Sequence, residues 1–312
     1  MKKKSGTYFT GIDSGGTKCE LIIISPEKKI IYSKKYKGVH YSVAGAEEYS
    51  RKVSVYIKNA LTETGLKLKD CSGICLGIAG AREDKDRKKI KSAFASKLKC
   101  EKIIITTDAM TALFGAFEGE DGIILISGTG SVLYGYSEGK ITRVGGWGRI
   151  IGDEGSGYWI GRRALNLVTK EFDEIKEAGK RSLLSKKFFE KFGITNLNVN
   201  EKIFSGEIEI QNIAPVVIAS AELKCGKGLQ IINESVEALT DHIKTFLKIT
   251  NRKKPLAIAF IGSIIENRNI LSLKLRKEIQ KLRIVKVVEK KHSPSFGAAL
   301  IAFSETELLT KL

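Results

Sequence analysis

The stretch Tyr8-Phe9-Thr10-Gly11-Ile12-Asp13-Ser14-Gly15-Gly16-Thr17-Lys18 reads as a strand, a glycine turn and the start of a second strand. Gly122-Ile123-Ile124-Leu125-Ile126-Ser127-Gly128-Thr129-Gly130-Ser131 repeats the pattern roughly 110 residues later. Two alike openings predict a duplicated unit, each half beginning on a hairpin, with a cleft between the halves. Outward from these turns, short runs rich in Ile and Val predict strands at 8–13, 19–24, 29–32, 73–79, 102–107, 122–127, 132–136, 256–261 and 284–288. Apolar residues spaced by three and four predict helices at 44–64, which Gly65 ends, and at 227–247. Strands alternating with helices make an α/β chain. The Lys-rich region 171–209 has helical character and reads as an insertion in the second half.

A glycine turn lets backbone N–H groups converge on an anion, because no Cβ stands in the way. Thr17, Thr129 and Ser131 add hydroxyls, and Lys18 adds a cation. Asp13 is a carboxylate inside the first turn, suited to a magnesium ion held through water. The common nucleotide motifs are absent. No G-x-x-x-x-G-K-[ST] occurs, and Gly128-Thr129-Gly130 leads into a strand rather than a helix, which disfavours a dinucleotide site. The three histidines, His40, His242 and His292, are too few and too scattered for an ordinary metal centre.

Composition narrows the rest. At about 150 residues per domain, 312 residues predict two domains. Lys and Arg number 53 against 35 Asp and Glu, a net charge of +18, and nucleic acid is the first partner such a charge suggests. The charges are dispersed, in groups such as Lys34-Lys35-Lys37 and Lys85-Arg87-Lys88-Lys89, and no aromatic residues interleave them as a stacking platform requires. A solvated surface is the better reading, with no nucleic-acid partner. The five cysteines are odd in number and form no C-x-x-C, so buried thiols are expected rather than disulfides or zinc. Lys2-Lys3-Lys4 could open a signal peptide, but Asp13 and Lys18 break the apolar run that follows. No run of 18 apolar residues occurs, so no membrane partner is expected and the reading is cytoplasmic.

The motifs, taken in order, carry a resemblance. Asp13-Ser14-Gly15-Gly16-Thr17-Lys18 is followed by Ile105-Thr106-Thr107-Asp108-Ala109, then by Ile126-Ser127-Gly128-Thr129-Gly130-Ser131. Gly145-Gly146-Trp147-Gly148 then runs into Gly152-Asp153-Glu154-Gly155-Ser156-Gly157-Tyr158-Trp159-Ile160-Gly161. Phe260-Ile261-Gly262-Ser263 and His292-Ser293-Pro294-Ser295-Phe296-Gly297-Ala298-Ala299 complete the set, which spans nearly the whole chain. This series resembles the N-acetylglucosamine kinase group of the BadF/BadG/BcrA/BcrD ATPase family, in the actin/Hsp70/hexokinase-like superfamily.

The resemblance implies an α/β fold of two ribonuclease-H-like (actin-like ATPase) domains around an ATP and sugar cleft. Residues 1–118 would form the first. Residues 119–312 would form the larger second, with the insertion near 171–209 and a last helix, about 297–312, packing back on the first domain. It implies an ATP-dependent kinase with Mg2+, acting at the C6 hydroxyl of N-acetylglucosamine, glucosamine or N-acetylmuramic acid. Asp108 matches the catalytic base. Asp13, Gly15, Gly16, Thr17 and Lys18 match the first phosphate turn, with Asp13 toward the metal. Gly128, Thr129, Gly130 and Ser131 match the second turn, and Gly262, Ser263 and Asn267 match nucleotide contacts. His40, Thr107, Gly146, Trp147, Gly148 and Asp153 fall at sugar contacts. Mammalian members carry Asn where this chain has Val132, and His40 stands where another sugar-contacting Asn is expected. Members of the family are often dimers, which leaves a homodimer open, and no interface can be read in the sequence.

Some of these residues have a plainer reading. Asp108 can also cap a helix at 109–117, Asp153 and Glu154 can serve a helix N-terminus at 156–167, and Trp147 can be core. Other functions remain in view. An activator ATPase of a CoA-ester reductase or dehydratase would need cysteines at the second turn for its iron–sulfur cluster, and none lies there. A non-enzymatic sugar-sensing regulator would resemble cousins of sugar kinases that carry a helix-turn-helix ahead of the first strand, and a nucleic-acid-binding protein would have to use the dispersed +18 charge.

Overall fold

In the computed structural model, residues 7–81, 83–98, 100 and 102–309 are described. The Lys2-Lys3-Lys4 lead and the last residues of the helix expected to reach 312 lie outside them. In chain order come β1 (Tyr8–Ser14), β2 (Lys18–Ile24), β3 (Ile30–Lys37), α1 (Tyr41–Thr64), β4 (Cys71–Ile78), α2 (Asp84–Leu98), β5 (Ile103–Thr107) and α3 (Asp108–Phe117). Then follow β6 (Gly122–Ser127), β7 (Ser131–Ser137), β8 (Lys140–Gly145), α4 (Gly157–Glu174), α5 (Leu183–Phe192), α6 (Val199–Phe204), α7 (Ala214–Glu222) and α8 (Gly226–Thr250). The chain closes with β9 (Leu256–Ile261), α9 (Ile270–Lys281), β10 (Val285–Val288) and α10 (Pro294–Leu309). Two compact units result, one of residues up to Glu120 together with Lys290 onward, the other Asp121–Glu289.

Each unit contains a five-stranded sheet, ordered β3-β2-β1-β4-β5 in the first and β10-β9-β6-β7-β8 in the second. In both, the hairpin strands pair antiparallel and the opening strand pairs parallel with a later one. The glycine turns occupy equivalent places, closed by Ser14 opposite Cys19 and by Ser127 opposite Ser131. The repeat visible in the sequence is therefore a repeat of topology. The sequence reading missed β8, whose Lys140 and Ile141 are exposed on an edge strand. A strand covered on one side carries no continuous apolar run.

Strand alternation explains the core of the first unit. Tyr8, Ile12, Leu21 and Ile23 face one side of the sheet, with Tyr49, Val53 and Ile57 of α1 and Phe94 of α2. Phe9, Ile22, Ile24 and Cys75 face the other, with Phe296, Ala299 and Leu300 of α10. The second unit buries Ile123, Leu125 and Leu133 with Ile160, Leu239, Ile243 and Phe246. Cys19, Cys71, Cys75 and Cys225 are buried, Cys100 is half-buried, and none of the five is in a disulfide. Among the described residues no helix is long and apolar enough to cross a membrane.

The approach of α10 to α3 depends on missing side chains. A methyl group on Gly297 would run into the Thr111 carbonyl and the Gly115 amide. Gly297→Ala should gain about 1 kcal/mol of helix propensity. Forcing two helix backbones apart costs about 1–3 kcal/mol, and backbone cannot step aside as a side chain can. Net destabilisation is expected in urea unfolding, and a stabilised Gly297→Ala protein would show the contact to be loose.

Candidate active site

In the first unit, β1 delivers Asp13 to the lip of the first turn, half-buried beside exposed Gly16, Thr17 and Lys18. The Gly15 amide donates to the Lys18 carbonyl at 2.9 Å, which closes the turn. The amides of Gly16 and Thr17 have no acceptor among the described residues. His40 stands at the N-cap position of α1 and makes no side-chain cap bond. Its ring instead lies against Gly16, with Cδ2 2.7 Å from where a Cβ would stand. The Gly38 amide donates to the Thr17 carbonyl at 3.1 Å and holds this approach to α1 on the turn.

Asp108 follows β5 as the first residue of α3 and is exposed. The helix cap is Thr107, whose Oγ1 accepts from the Met110 amide at 3.3 Å. Asp108 Oδ1 accepts from its neighbour Ala109 at 3.0 Å. The capping expected of Asp108 thus falls to Thr107, and Asp108 Oδ2 has no partner among the described residues. Thr107 is thereby tied to the helix backbone.

Burial first, and then the negative charge of Asp108, push the Asp13 carboxyl up to about 7, opposed by Lys18. Two carboxylates in one field, one resisting ionisation, suit a divalent cation supplied with phosphate and water oxygens. Mg2+ fits that donor set, and Asp13 is the turn carboxylate that would hold it. Among the described residues no cluster of three or more His, Cys, Asp and Glu could hold a metal ion by itself. A carboxyl raised in the folded state stabilises the fold fully below its unfolded value of 3.8 and loses that contribution as pH rises through about 7. Asp13→Asn should therefore unfold at higher temperature than the parent at about pH 8 without magnesium. The gain should shrink as pH falls toward 4, and a pH-independent difference would contradict the buried charge.

In the second unit, the turn Gly128-Thr129-Gly130 is closed by the Gly128 amide on the Gly130 carbonyl at 2.9 Å. The amides of Thr129 and Gly130 have no acceptor among the described residues, and nothing lies within 4 Å of a Cβ placed on Gly128. These are the marks of a backbone cradle for an anion. The 145–158 segment is stitched to this turn. Ser127 Oγ donates to the Gly155 carbonyl at 2.9 Å and Ser131 Oγ to the Glu154 carbonyl at 2.6 Å. The Gly157 and Tyr158 amides donate to the carbonyls of Gly128 and Thr129, at 2.7 and 3.3 Å. Ser131 thus shapes the turn, and its hydroxyl is spent on protein.

Asp153 sits at φ 56°, and its Oδ1 accepts from the Gly148 amide at 3.1 Å. Its Oδ2 lies 2.6 Å from where a Cβ of Gly130 would stand. Asp153 therefore touches both the second turn and the Gly146–Trp147–Gly148 loop, while Ser156 caps α4 through its hydroxyl. Trp147 is 71% exposed, so it is not core. The Arg143 guanidinium lies 5.0 Å from its ring centre and donates to the carbonyls of Gly145 and Gly146. Gly262, at φ 100°, packs its backbone on the second turn, where a Cβ would meet the Ser127 carbonyl. Ser263 and Asn267 are exposed beside it, joined by Asn267 Nδ2 donating to the Ser263 carbonyl at 3.3 Å. Asp13, His40, Thr107 and Asp108 thus lie in the first unit. The second turn, Gly146–Gly148, Asp153 and the 262–267 segment come together in the second.

Two sheets of matching order, each opened by a glycine turn, define the ribonuclease-H-like ATPase fold. The sequence matches the BadF/BadG/BcrA/BcrD ATPase family over residues 10–302, and the chain belongs to that family. It is 33% identical over 308 residues to an N-acetylmuramic acid/N-acetylglucosamine kinase of Clostridium acetobutylicum, covering 96% of this chain and 99% of the relative. It is 28% identical over 322 residues to an N-acetyl-D-glucosamine kinase of Dictyostelium discoideum, covering 96% and 99%. A crystal structure of a provisionally assigned N-acetylglucosamine kinase from Chromobacterium violaceum shares the fold, with a TM-score of 0.70 at 22% identity over 95% of this chain and 99% of that one.

Proposed function

We propose that the chain is an ATP-dependent kinase of amino sugars, with N-acetylglucosamine, N-acetylmuramic acid and glucosamine as acceptors and the C6 hydroxyl as the attacking group. The observation that carries the mechanism is Asp108. Its carboxylate is exposed at the end of β5, and Thr107 has taken over the capping work that would otherwise occupy it. Phosphoryl transfer asks a protein mainly for positioning and charge neutralisation. The amides of Gly16 and Thr17, and those of Thr129 and Gly130, supply donors for phosphate oxygens, while Gly15 and Gly128 keep the turns open. Lys18 adds positive charge. Asp13 would hold Mg2+, whose charge would offset that of the phosphates.

Asp108 accepts the proton of the sugar hydroxyl as that oxygen bonds to the γ-phosphorus and the bond to the ADP oxygen breaks. Gly262, Ser263 and Asn267 contact the nucleoside. His40, Thr107, Gly146, Trp147, Gly148 and Asp153 orient the sugar, Trp147 through its open ring face. Cytoplasmic location and a homodimer belong to the same proposal. The deciding experiment follows ADP release across amino sugars, hexoses and muramic derivatives, with NMR of the product to locate the phosphate. Turnover highest with an amino sugar and phosphate on O6 is the expected result. Absence of ATP-dependent phosphorylation of every amino sugar sinks the proposal.

A further inference from the structure

The helical insertion of the second unit encloses a cavity of about 420 Å³, set between the end of α4, α5 and the segment after α5. Its frame is anchored. The Glu171 carboxylate, 1% exposed, accepts from the Ser182 amide and hydroxyl and from the Ser185 hydroxyl, with Lys227 Nζ at 3.8 Å. That network fixes the start of α5 to α4, and Ser185 itself lines the cavity. Phe172 and Phe189 supply apolar wall, and Phe189 is 61% exposed.

The charge on this wall is unbalanced. Arg181 lies over the Phe172 ring at 4.5 Å and donates Nε to the Ile175 carbonyl at 3.1 Å. Its terminal amino groups have no acceptor among the described residues. Lys176 and Lys186 also line the cavity, and neither reaches a carboxylate among the described residues. Nearby lysines do find partners, as in Lys180 with Glu177 and Lys202 with Glu207. Three cations face one acid, Glu190.

We infer that this cavity is a second ligand site, for the phosphate monoester of an amino sugar; the inference rests on the kinase reading, whose product is of that class. A phosphate monoester carries about −1.5 to −2 charges near neutral pH, which matches the net excess on the wall. The free side of the Arg181 fork suits two phosphate oxygens, and its pose on Phe172 fixes it in advance. Phe172 is buried beneath Arg181, so the exposed Phe189 is the apolar wall left for the C–H face of a pyranose, and Asn196 on the same lining adds an amide for sugar hydroxyls. The unphosphorylated sugar lacks the charge. ATP gains nothing from backbone amides here, because no glycine turn lines the cavity.

The test is calorimetric titration of the full chain with glucosamine 6-phosphate, glucosamine and inorganic phosphate, alongside kinase assays on the same preparation. The expected result is two sites for glucosamine 6-phosphate. Lys176→Gln combined with Lys186→Gln should weaken one of them by roughly tenfold or more. That variant should keep its unfolding midpoint and its KM values for ATP and sugar. Loss of the Arg181 fork in Arg181→Lys should weaken the same site. One site only, unmoved by the lysine changes, overturns the inference while leaving the kinase reading intact. Inorganic phosphate binding as tightly as the sugar phosphate also overturns it, since a bare anion patch would suffice. No kinase turnover with a second site still lost in the lysine variant supports the cavity and rejects the kinase.

Discussion

Asp108→Asn is expected to lower kcat by about 10²–10⁴-fold, the range that a positioned general base contributes. That range corresponds to roughly 3–5 kcal/mol of barrier. The competing effect is structural and much smaller. Asp108 is the first residue of α3, and loss of a charge at a helix N-terminus costs about 0.3–1 kcal/mol. Asparagine retains an oxygen that can accept from the Ala109 amide, as Oδ1 does now. The cap itself is made by Thr107 and survives the change. The variant should therefore fold normally and bind nucleotide within a few-fold of the parent. A second readout reports the electrostatic coupling of the two carboxylates. The Asp108 charge is one of the causes that raise the Asp13 carboxyl to about 7, so removing it should move the Asp13 titration downward. Turnover within a few-fold of the parent would remove Asp108 from the chemistry.

The strands and glycine turns were readable because a doubly covered strand writes itself as a run of Ile and Val, and because glycine at a hairpin has few other uses. Ile12, Leu21, Leu125 and Leu133 all fall in strands expected from such runs, and all are buried in the cores. Other features depended on pairs far apart in the chain. Ser131 read as a phosphate donor, but Glu154, 23 residues away, claims its hydroxyl. Ser127 meets Gly155 across 28 residues, and Gly130 accommodates Asp153. No local spacing encodes such stitching. The choice of cap at α3 was hidden for a different reason. Thr107 and Asp108 are both good capping residues, and only backbone geometry, with Thr107 extended and Asp108 already helical, decides between them. Trp147 was ambiguous because glycine neighbours suit either a core or an open ring, and the exposed ring over Arg143 resolved it. The Glu171 network and the cavity beside it left no motif at all, since a buried carboxylate looks like any other Glu in a helical run.

Gly128→Val is expected to raise the KM for ATP by roughly 10–100-fold, with a smaller effect on the KM for sugar. The estimate takes the loss of one hydrogen bond to a charged phosphate at about 1.5–3 kcal/mol. Gly128 is the right glycine because its vacancy serves no packing purpose. No atom lies within 4 Å of its absent Cβ, and its backbone is not left-handed. Its amide bonds the Gly130 carbonyl and its own carbonyl accepts from Gly157, and neither bond is disturbed by a side chain. Valine should therefore fold into place and fill the cradle. Neighbouring glycines make poorer tests. A side chain on Gly262 would strike the Ser127 carbonyl, and one on Gly130 would press Asp153, so either change mixes binding with local collapse. Gly128→Ala should fall between parent and Val, because one methyl blocks less of the approach to the amides. An unchanged unfolding midpoint with a graded rise in nucleotide KM from Gly to Ala to Val would tie the turn to phosphate. An ATP KM unchanged in Gly128→Val would leave the turn an ordinary hairpin.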